Sequence, residues 1–145
     1  NTILLSGSPT TTFSYYSVNE FSAQAFTVEL GKVQAFGQND MQNFEGVIST
    51  LTNLITGKDL SLKAYDQSDF LIYKVNQVIN KQHSEFKLNF VEDTPNCTDF
   101  SKGHILASEP GREYLAQVDG EAIVFPNADV EIGQRALLTV IPTTI

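Results

Sequence analysis

The amino-acid sequence predicts an α/β segment followed by a small all-β unit. In the first 57 residues, two short apolar runs alternate with two stretches that have helical spacing, which is the rhythm of an α/β layer fold. From residue 70 onward, short runs rich in β-branched and aromatic residues are separated by Asp, Asn, Pro and Gly, which is typical of all-β structure. The polar stretch after Gly57 resembles a connector, so we place the domains at 1–57 and 58–145.

Two apolar runs supply the predicted strands of the first segment. The run TILLS, at 2–6, stops at Gly7. The run AFTVEL, at 25–30, is apolar without alternation, as expected for a parallel strand buried on both faces. Two strands and two helices bury little apolar surface. We therefore expect the segment to be the end of a larger α/β domain, and the chain, which begins with Asn1, to be a fragment or a processed product.

Two helices are predicted from caps and periodicity. Thr and Ser residues ahead of Phe13 can cap a short helix within 10–21. Asn39 or Asp40 can cap a second helix of about 16 residues that Gly57 ends. Its apolar residues recur at spacings of three and four: Met41, Phe44, Val47, Ile48, Leu51, Leu54 and Ile55.

The all-β unit is predicted from six runs and two turn signals. Gly103 lies inside DFSKGHILAS, and Asp119-Gly120 precedes EAIVFP, so each stretch predicts a hairpin. The six predicted strands are FLIYKVNQVI, EFKLNFV, HILAS, EYLAQV, EAIVFP and RALLTVI.

Charge and composition exclude several classes of partner. The 145 residues carry 9 Lys and Arg against 17 Asp and Glu, a net charge of −8, with no basic cluster. Nucleic acids and anionic membrane surfaces are therefore not expected partners. The single cysteine, Cys97, excludes an internal disulfide and fits a reducing compartment, so the expected location is cytoplasmic.

Familiar catalytic and metal-binding patterns are absent from the sequence. His83 and His104 are the only histidines, and neither has a metal-ligand spacing. The sequence has no Gly-x-Ser-x-Gly elbow, and no histidine is placed to activate Cys97. The aromatic group around Tyr16 could line a pocket but is more typical of a core. The segment 37–40 could bind an anion at a helix N-terminus, although a simple cap is the plainer interpretation.

Glu29 is the one carboxylate in an unusual position. It lies near the end of the apolar run 25–30, where a charged group costs free energy unless it is paired or used. A structural ion pair, a cap or simple exposure would explain it, and so would an active-site base. The residue types alone leave these alternatives open.

Three stretches resemble the succinylglutamate desuccinylase/aspartoacylase family of zinc hydrolases. They are FTVELGKVQAFGQNDMQNF at 26–44, DFSKGHILAS at 99–108 and EAIVFPNADVEIGQRA at 121–136. They occur in the family's order and with similar spacing, whereas 58–95 match loosely.

The resemblance implies the C-terminal part of a carboxypeptidase-like α/β domain plus a small all-β domain. It also implies one zinc ion, held by a His-x-x-Glu motif and a second His. In the family, the water bound to this zinc attacks the carbonyl of an amide. A glutamate at a strand end would move the proton from that water to the leaving amine, and here that catalytic residue would be Glu29. The expected substrate is the small molecule N-succinyl-L-glutamate, hydrolysed to succinate and L-glutamate at the end of arginine catabolism by the succinyltransferase route.

The chain departs from the family pattern at the metal site. No His-x-x-Glu occurs in the 145 residues, so we expect the zinc ligands to lie upstream of Asn1 and the chain alone to be inactive. Arg112 and Arg135 are the only arginines, and the sequence ties neither to the substrate. Lys32 could contribute electrostatically or form an ion pair. The alternatives are an aspartoacylase-like deacylase of another N-acyl amino acid, or a non-catalytic β binding module with a structural Glu29.

Overall fold

The computed structural model describes residues 1–7, 11–31, 34–91 and 93–145. The chain forms two compact units. We call Asn1–Gly7 with Asp66–Ile145 the β unit, and Ser8–Tyr65 the helical unit.

The β unit contains two antiparallel-rich sheets. A five-stranded sheet has the order β1-β2-β8-β7-β4, and a three-stranded sheet has the order β3-β5-β6. The strands are β1 (Thr2–Leu5), β2 (Leu71–Asn80), β3 (Lys87–Leu88), β4 (Asp99–Phe100), β5 (Ile105–Glu109), β6 (Arg112–Leu115), β7 (Glu121–Val124) and β8 (Arg135–Pro142). A 3-10 turn at Gln67–Asp69 precedes β2.

Strand β1 is the only parallel member of the five-stranded sheet among the described residues. Thr2 pairs with Leu71, and the register continues to Leu5 and Lys74. On its other side β2 pairs antiparallel with β8, with a register shift between Val75 and Gln77. The predicted strand at 2–6 therefore forms, and its neighbour is β2. The domain boundary at 57/58 stays a prediction.

The core of the β unit lies between the two sheets. Ile79, Leu106, Ile123 and Leu137 are fully buried and come from β2, β5, β7 and β8. A second buried cluster, on the same large sheet, is formed by Ala122, Val124, Leu138 and Val140. Because β7 and β8 contribute to both clusters, they are buried on both faces, which explains their continuous apolar sequences.

The two predicted helices form in the helical unit. Helix α1 (Phe13–Phe21) begins where the Thr12 hydroxyl accepts from the Tyr15 N–H at 3.3 Å. Asp40 likewise accepts from the Gln42 N–H at 3.1 Å and starts a 3-10 turn at Met41–Phe44. That turn continues into helix α2 (Glu45–Ile55).

Helix α2 ends in a Schellman motif. Gly57 has φ 67, its N–H donates to Leu54 O at 3.3 Å, and the Lys58 N–H donates to Asn53 O at 2.9 Å. The Asp40 cap and the Gly57 terminator were both predicted. The apolar stripe of α2 is about half exposed, because the described residues of this unit contain no sheet for it to pack against.

The predicted strand at 25–30 is wrong. These residues are irregular and mostly exposed. A strand requires a hydrogen-bonded neighbour, and no described residue forms a ladder with this run. The apolar composition is that of a buried strand, but the pairing that would make it one is missing from the described part of the chain.

The two predicted hairpins are also wrong. Asp99 of β4 pairs with Ala122 of β7 in the large sheet, whereas Ile105 of β5 pairs with Leu115 of β6 in the small one. The turns at Gly103 and Gly120 form, but each joins strands of different sheets. The turn residues correctly mark reversals, while the choice of partner strand depends on packing.

Candidate functional site

Glu29 lies in the irregular segment that precedes Gly31, and its side chain is exposed. Gly31 has φ 103, a backbone conformation that residues other than glycine rarely adopt. Among the described residues no hydrogen bond or ion pair engages the Glu29 carboxylate. Within the described ranges its oxygens are therefore available to accept a proton or a hydrogen bond. Lys32, the predicted electrostatic contributor, lies outside the described residues.

Residues 37–40 lead into a capped helix start. The Asp40 carboxylate accepts from the Gln42 N–H in the first turn, which matches the plainer interpretation of 37–40 as a simple cap. The aromatic side chains of α1 do not form a core, because Phe13, Tyr16 and Phe21 are all more than half exposed. Tyr16 and Phe21 pack edge to face, with ring centroids 5.7 Å apart.

The residues present do not fit a zinc site. Across 1–7, 11–31, 34–91 and 93–145, no group of three His, Cys, Asp or Glu side chains could hold a metal ion. His83 Nδ1 accepts from the Glu85 N–H at 3.2 Å, and the His104 ring stacks on Phe100 at 4.6 Å. Both histidines are exposed, as predicted.

Glu121 is a buried carboxylate that the sequence analysis did not single out. Its side chain is 0% exposed at the start of β7. Oε1 accepts from Gln77 Nε2 at 2.6 Å, and Oε2 accepts from the Gln117 N–H at 2.5 Å. Burial raises the pKa of Glu121, but hydrogen bonds from Thr139, Gln77, Asn76 and the Gln117 backbone outweigh it, so the pKa lies below its usual value.

The Glu121 network fixes the irregularity in β2. At the register shift, the Gln77 N–H donates to Thr139 Oγ1 at 3.0 Å, and Gln77 Nε2 also donates to Leu115 O at 3.0 Å. The network thus connects β2, β8 and the loop between β6 and β7. In the sequence, the only signal for this network is that Glu121 stands at the start of an apolar run.

A second carboxylate, Glu109, holds the loop after β2. Oε2 accepts from the backbone N–H groups of Gln82 and His83, each at 3.0 Å, and Oε1 accepts from the Tyr114 hydroxyl at 2.6 Å. Desolvation raises the pKa of Glu109, but these hydrogen bonds and the charge of Arg112 outweigh it, so the pKa lies below its usual value. Burial and the bond to Glu109 raise the pKa of Tyr114.

The segment VFPN, at 124–127, contains a strained residue. Phe125 has φ 54, and its N–H donates to Asn96 Oδ1 at 2.8 Å. Beside it, Cys97 has φ 66 and donates its N–H to Ile123 O at 2.8 Å. A left-handed backbone at a residue other than glycine costs on the order of 1–3 kcal/mol and persists only where its surroundings impose it. Phe125 and Cys97, which both have this conformation, lie near the end of β7.

Two family models match the chain, one after the other. Residues 1–55 match the succinylglutamate desuccinylase/aspartoacylase catalytic domain, and residues 68–143 match the AstE/AspA barrel-sandwich hybrid domain. The chain belongs to the succinylglutamate desuccinylase/aspartoacylase family. The predicted family and the predicted fold class, an α/β catalytic part followed by a small β domain, are confirmed.

Several relatives of this chain are named succinylglutamate desuccinylase. The protein from Pseudoalteromonas atlantica is 64% identical over the whole chain, and that from Shewanella denitrificans is 49% identical over 98% of it. The X-ray structure of the Vibrio parahaemolyticus enzyme is 36% identical over 99% of the chain, with a TM-score of 0.81. The crystal structure of the Vibrio cholerae enzyme is 34% identical over 96% of the chain, with a TM-score of 0.82.

The chain spans about two fifths of these relatives. It covers 41% of both curated sequences and of the Vibrio parahaemolyticus structure, and 40% of the Vibrio cholerae structure. Glu29 falls in the part matched by the catalytic domain, whereas Glu121 and Phe125 fall in the hybrid domain. Within the described ranges, no helix has the length and apolar character needed to cross a membrane.

Proposed function

We propose that the full-length protein containing this chain hydrolyses N-succinyl-L-glutamate to succinate and L-glutamate. The observation that carries the proposal is the match of both family models, in order, in a chain 64% identical to a protein named succinylglutamate desuccinylase. We further propose that the enzyme is zinc-dependent, acts in the cytoplasm in arginine catabolism by the succinyltransferase route, and has its metal ligands upstream of Asn1. On this account the chain alone is inactive.

Glu29 is the proposed catalytic residue of this chain. Its carboxylate takes a proton from the attacking water and delivers it to the nitrogen of the leaving amine as the amide bond breaks. A carboxylate can perform both transfers if it lies within hydrogen-bond reach of each atom. Two features support the assignment: Glu29 lies within the catalytic-domain match, and its oxygens have no partner among the described residues.

The substitution Glu29→Gln in the full-length protein tests this role. Glutamine has nearly the same shape but cannot accept the proton, so we expect kcat to fall by a factor on the order of 10² or more. Zinc content and the melting temperature should not change. Steady-state kinetics, metal analysis and thermal unfolding measure the three quantities.

Glu20→Gln is the matched control. Glu20 is an exposed carboxylate on α1, in the same unit, and its substitution changes the net charge by the same amount. We expect its kcat to stay within about twofold of the wild type. A Glu29→Gln enzyme as active as the Glu20→Gln enzyme would exclude Glu29 as the base and leave it a structural carboxylate.

An aspartoacylase-like activity is the second candidate, because the matching catalytic-domain model covers both enzymes. Such a protein would release a different acyl group from another N-acyl amino acid by the same proton transfers. Comparison of N-succinyl-L-glutamate with N-acetyl-L-aspartate as substrates separates the two. A non-catalytic binding module would hydrolyse neither compound.

A further inference from the structure

An open groove of about 570 Å³ lies on the small sheet β3-β5-β6 of the β unit. Leu88, Ala107 and Tyr114 of these strands pack into the core, so the groove lies on the opposite, outer face. Its volume is within the range of small-molecule sites, about 300–1,000 Å³. Several of its lining residues belong to the family-like stretch 99–108: Gly103, His104, Ile105 and Ser108. The proposed hydrolysis assigns no role to this groove.

The strand register places a cation and an anion in one row along the groove. Lys87 of β3 pairs with Ser108 of β5, and Ser108 pairs with Glu113 of β6. Directly opposed residues project their side chains from the same face of a sheet. All three residues line the groove. Across the sheet the row therefore consists of an ammonium group, a hydroxyl and a carboxylate.

The two charges of this row face the groove without neutralising each other. Lys87 and Glu113 lie on the strands that flank β5, so their Cα atoms are two strand spacings apart, about 10 Å. Both side chains are exposed, and among the described residues no hydrogen bond or ion pair engages either one. Both charges are therefore available to a ligand that lies between them.

The groove between the two charges is polar and ordered. Asn89 Nδ2 donates to Ser108 Oγ at 3.0 Å, and both side chains are partly buried. The Ser108 hydroxyl is 3.4 Å from Asn89 Oδ1, which is long for an O–H···O bond, so its proton can turn to a better acceptor. The His104 ring stacks on Phe100 with centroids 4.6 Å apart, and this contact restrains the imidazole in the groove wall.

We propose that this groove binds a free α-amino acid. The carboxylate of the ligand accepts from Lys87 Nζ and the Ser108 hydroxyl, and its ammonium group donates to Glu113. Charge-assisted hydrogen bonds of about 2.8 Å at each end let a small molecule bridge the row. A zwitterion satisfies both charges at once, whereas a simple anion or cation is attracted by one and repelled by the other. Ile105, 36% exposed, offers an apolar contact for the ligand side chain.

Calorimetric titration of the full-length protein with L-leucine tests the proposal. L-leucine is a zwitterion with an apolar side chain, and it is not a product of the proposed hydrolysis. Isocaproate has the same carbon skeleton without the ammonium group, and isoamylamine has it without the carboxylate. We expect each analogue to bind at least about tenfold more weakly than L-leucine, because one charge of the row is left without a partner.

Exchange of the two charges tests the row itself. Lys87→Glu and Glu113→Lys each leave two like charges in the row, so each should raise the Kd for L-leucine at least about tenfold. The double variant Lys87→Glu/Glu113→Lys again has a cation opposite an anion. It should recover part of the affinity, because the amino acid can bind in the reverse direction. Melting temperatures of the three variants should match the wild type, since both positions are exposed.

Lys74→Glu is the matched control for charge. Lys74 is an exposed cation on β2, in the five-stranded sheet of the same unit, and its substitution changes the net charge by the same amount as Lys87→Glu. We expect the Kd for L-leucine to stay within about twofold of the wild type.

Four results would overturn the inference, and none of them depends on the proposed hydrolysis. They are no binding of L-leucine by the wild type, equal binding of isocaproate, an unchanged Kd in Lys87→Glu, and no recovery in the double variant. Tight binding of L-leucine that both single variants weaken and the double variant partly restores would support the site.

Discussion

The buried carboxylate of Glu121 connects β7 to β2 and to the loop between β6 and β7. Its two oxygens accept from Gln77 and Gln117, and among the described residues no Lys or Arg pairs with it. The charge is therefore stabilised by hydrogen bonds from neutral groups. Removal of one buried acceptor leaves the facing donor without a partner, which costs more than the bond itself contributes.

We predict that Glu121→Gln destabilises the β unit by about 2–3 kcal/mol. The new NH₂ group would face either the Gln77 side chain or the Gln117 N–H, both of which are donors. Glu113→Gln, at an exposed position on β6, is the control and should change stability by less than about 0.5 kcal/mol. Denaturant unfolding measures both. Equal stability of the two variants would contradict the account of this network.

Two carboxylates with lowered pKa values, in separate hydrogen-bond networks, make stability depend on pH. Glu121 and Glu109 have folded-state pKa values below the ordinary 4.5. A depressed pKa contributes stability that is present above the unfolded pKa and is lost as the pH falls through the folded pKa. The melting temperature should therefore fall as the pH drops below 4.5. The difference in melting temperature between the wild type and Glu121→Gln should shrink over the same pH range. A constant difference would argue against Glu121 as a source of this pH dependence.

The structural roles of residues with partners nearby in the sequence could be predicted, whereas the role of Glu121 could not. Asp40 bonds to Gln42, two positions away, so its cap is visible in a short window. Gln77 and Glu121 are 44 positions apart. No periodicity connects residues at that distance. Glu29 was singled out from its apolar surroundings and from the family resemblance, and its catalytic role stays a prediction.

At the scale of elements, the turn between β5 and β6 depends on one glycine. Glu109 pairs with Arg112, so Pro110 and Gly111 alone make the turn, and Gly111 has φ 76. A Cβ on Gly111 would meet nothing within 4 Å, so only the backbone conformation opposes a side chain there. Pro followed by a left-handed Gly is the pattern of a type II turn.

We predict that Gly111→Ala destabilises the β unit by about 1–2 kcal/mol. Gly46→Ala, in α2, has equally open space but an ordinary helical backbone, and should stabilise its helix by about 0.5–1 kcal/mol. Thermal unfolding monitored by circular dichroism would detect the opposite signs. A neutral Gly111→Ala would mean that the turn can change its type without cost.

Elements were predictable where the evidence is local. Helices α1 and α2 and strands β2, β7 and β8 follow from periodicity, caps and apolar runs. The run at 25–30 and the pairing of β4 were not predictable, because a strand exists only beside its neighbour. β4 pairs with β7 some 20 residues away, although a turn and β5 follow it directly in the chain.

At the scale of the whole molecule, the chain joins a catalytic segment and a hybrid domain of one enzyme family. It spans 41% of the length of its curated relatives. The net charge of −8, with no basic cluster in the sequence, argues against a nucleic-acid partner. Fold class and family were accessible from the sequence, because three motifs in order identify the family.

The most direct test of the central claim is the kcat/KM of the purified full-length protein on two substrates, N-succinyl-L-glutamate and N-acetyl-L-aspartate. A site selective for the succinyl and glutamate groups should prefer the first by a factor on the order of 10² or more, because missing polar contacts are costly in a site built to make them. Preference for N-acetyl-L-aspartate, or hydrolysis of neither compound, would contradict the proposed function.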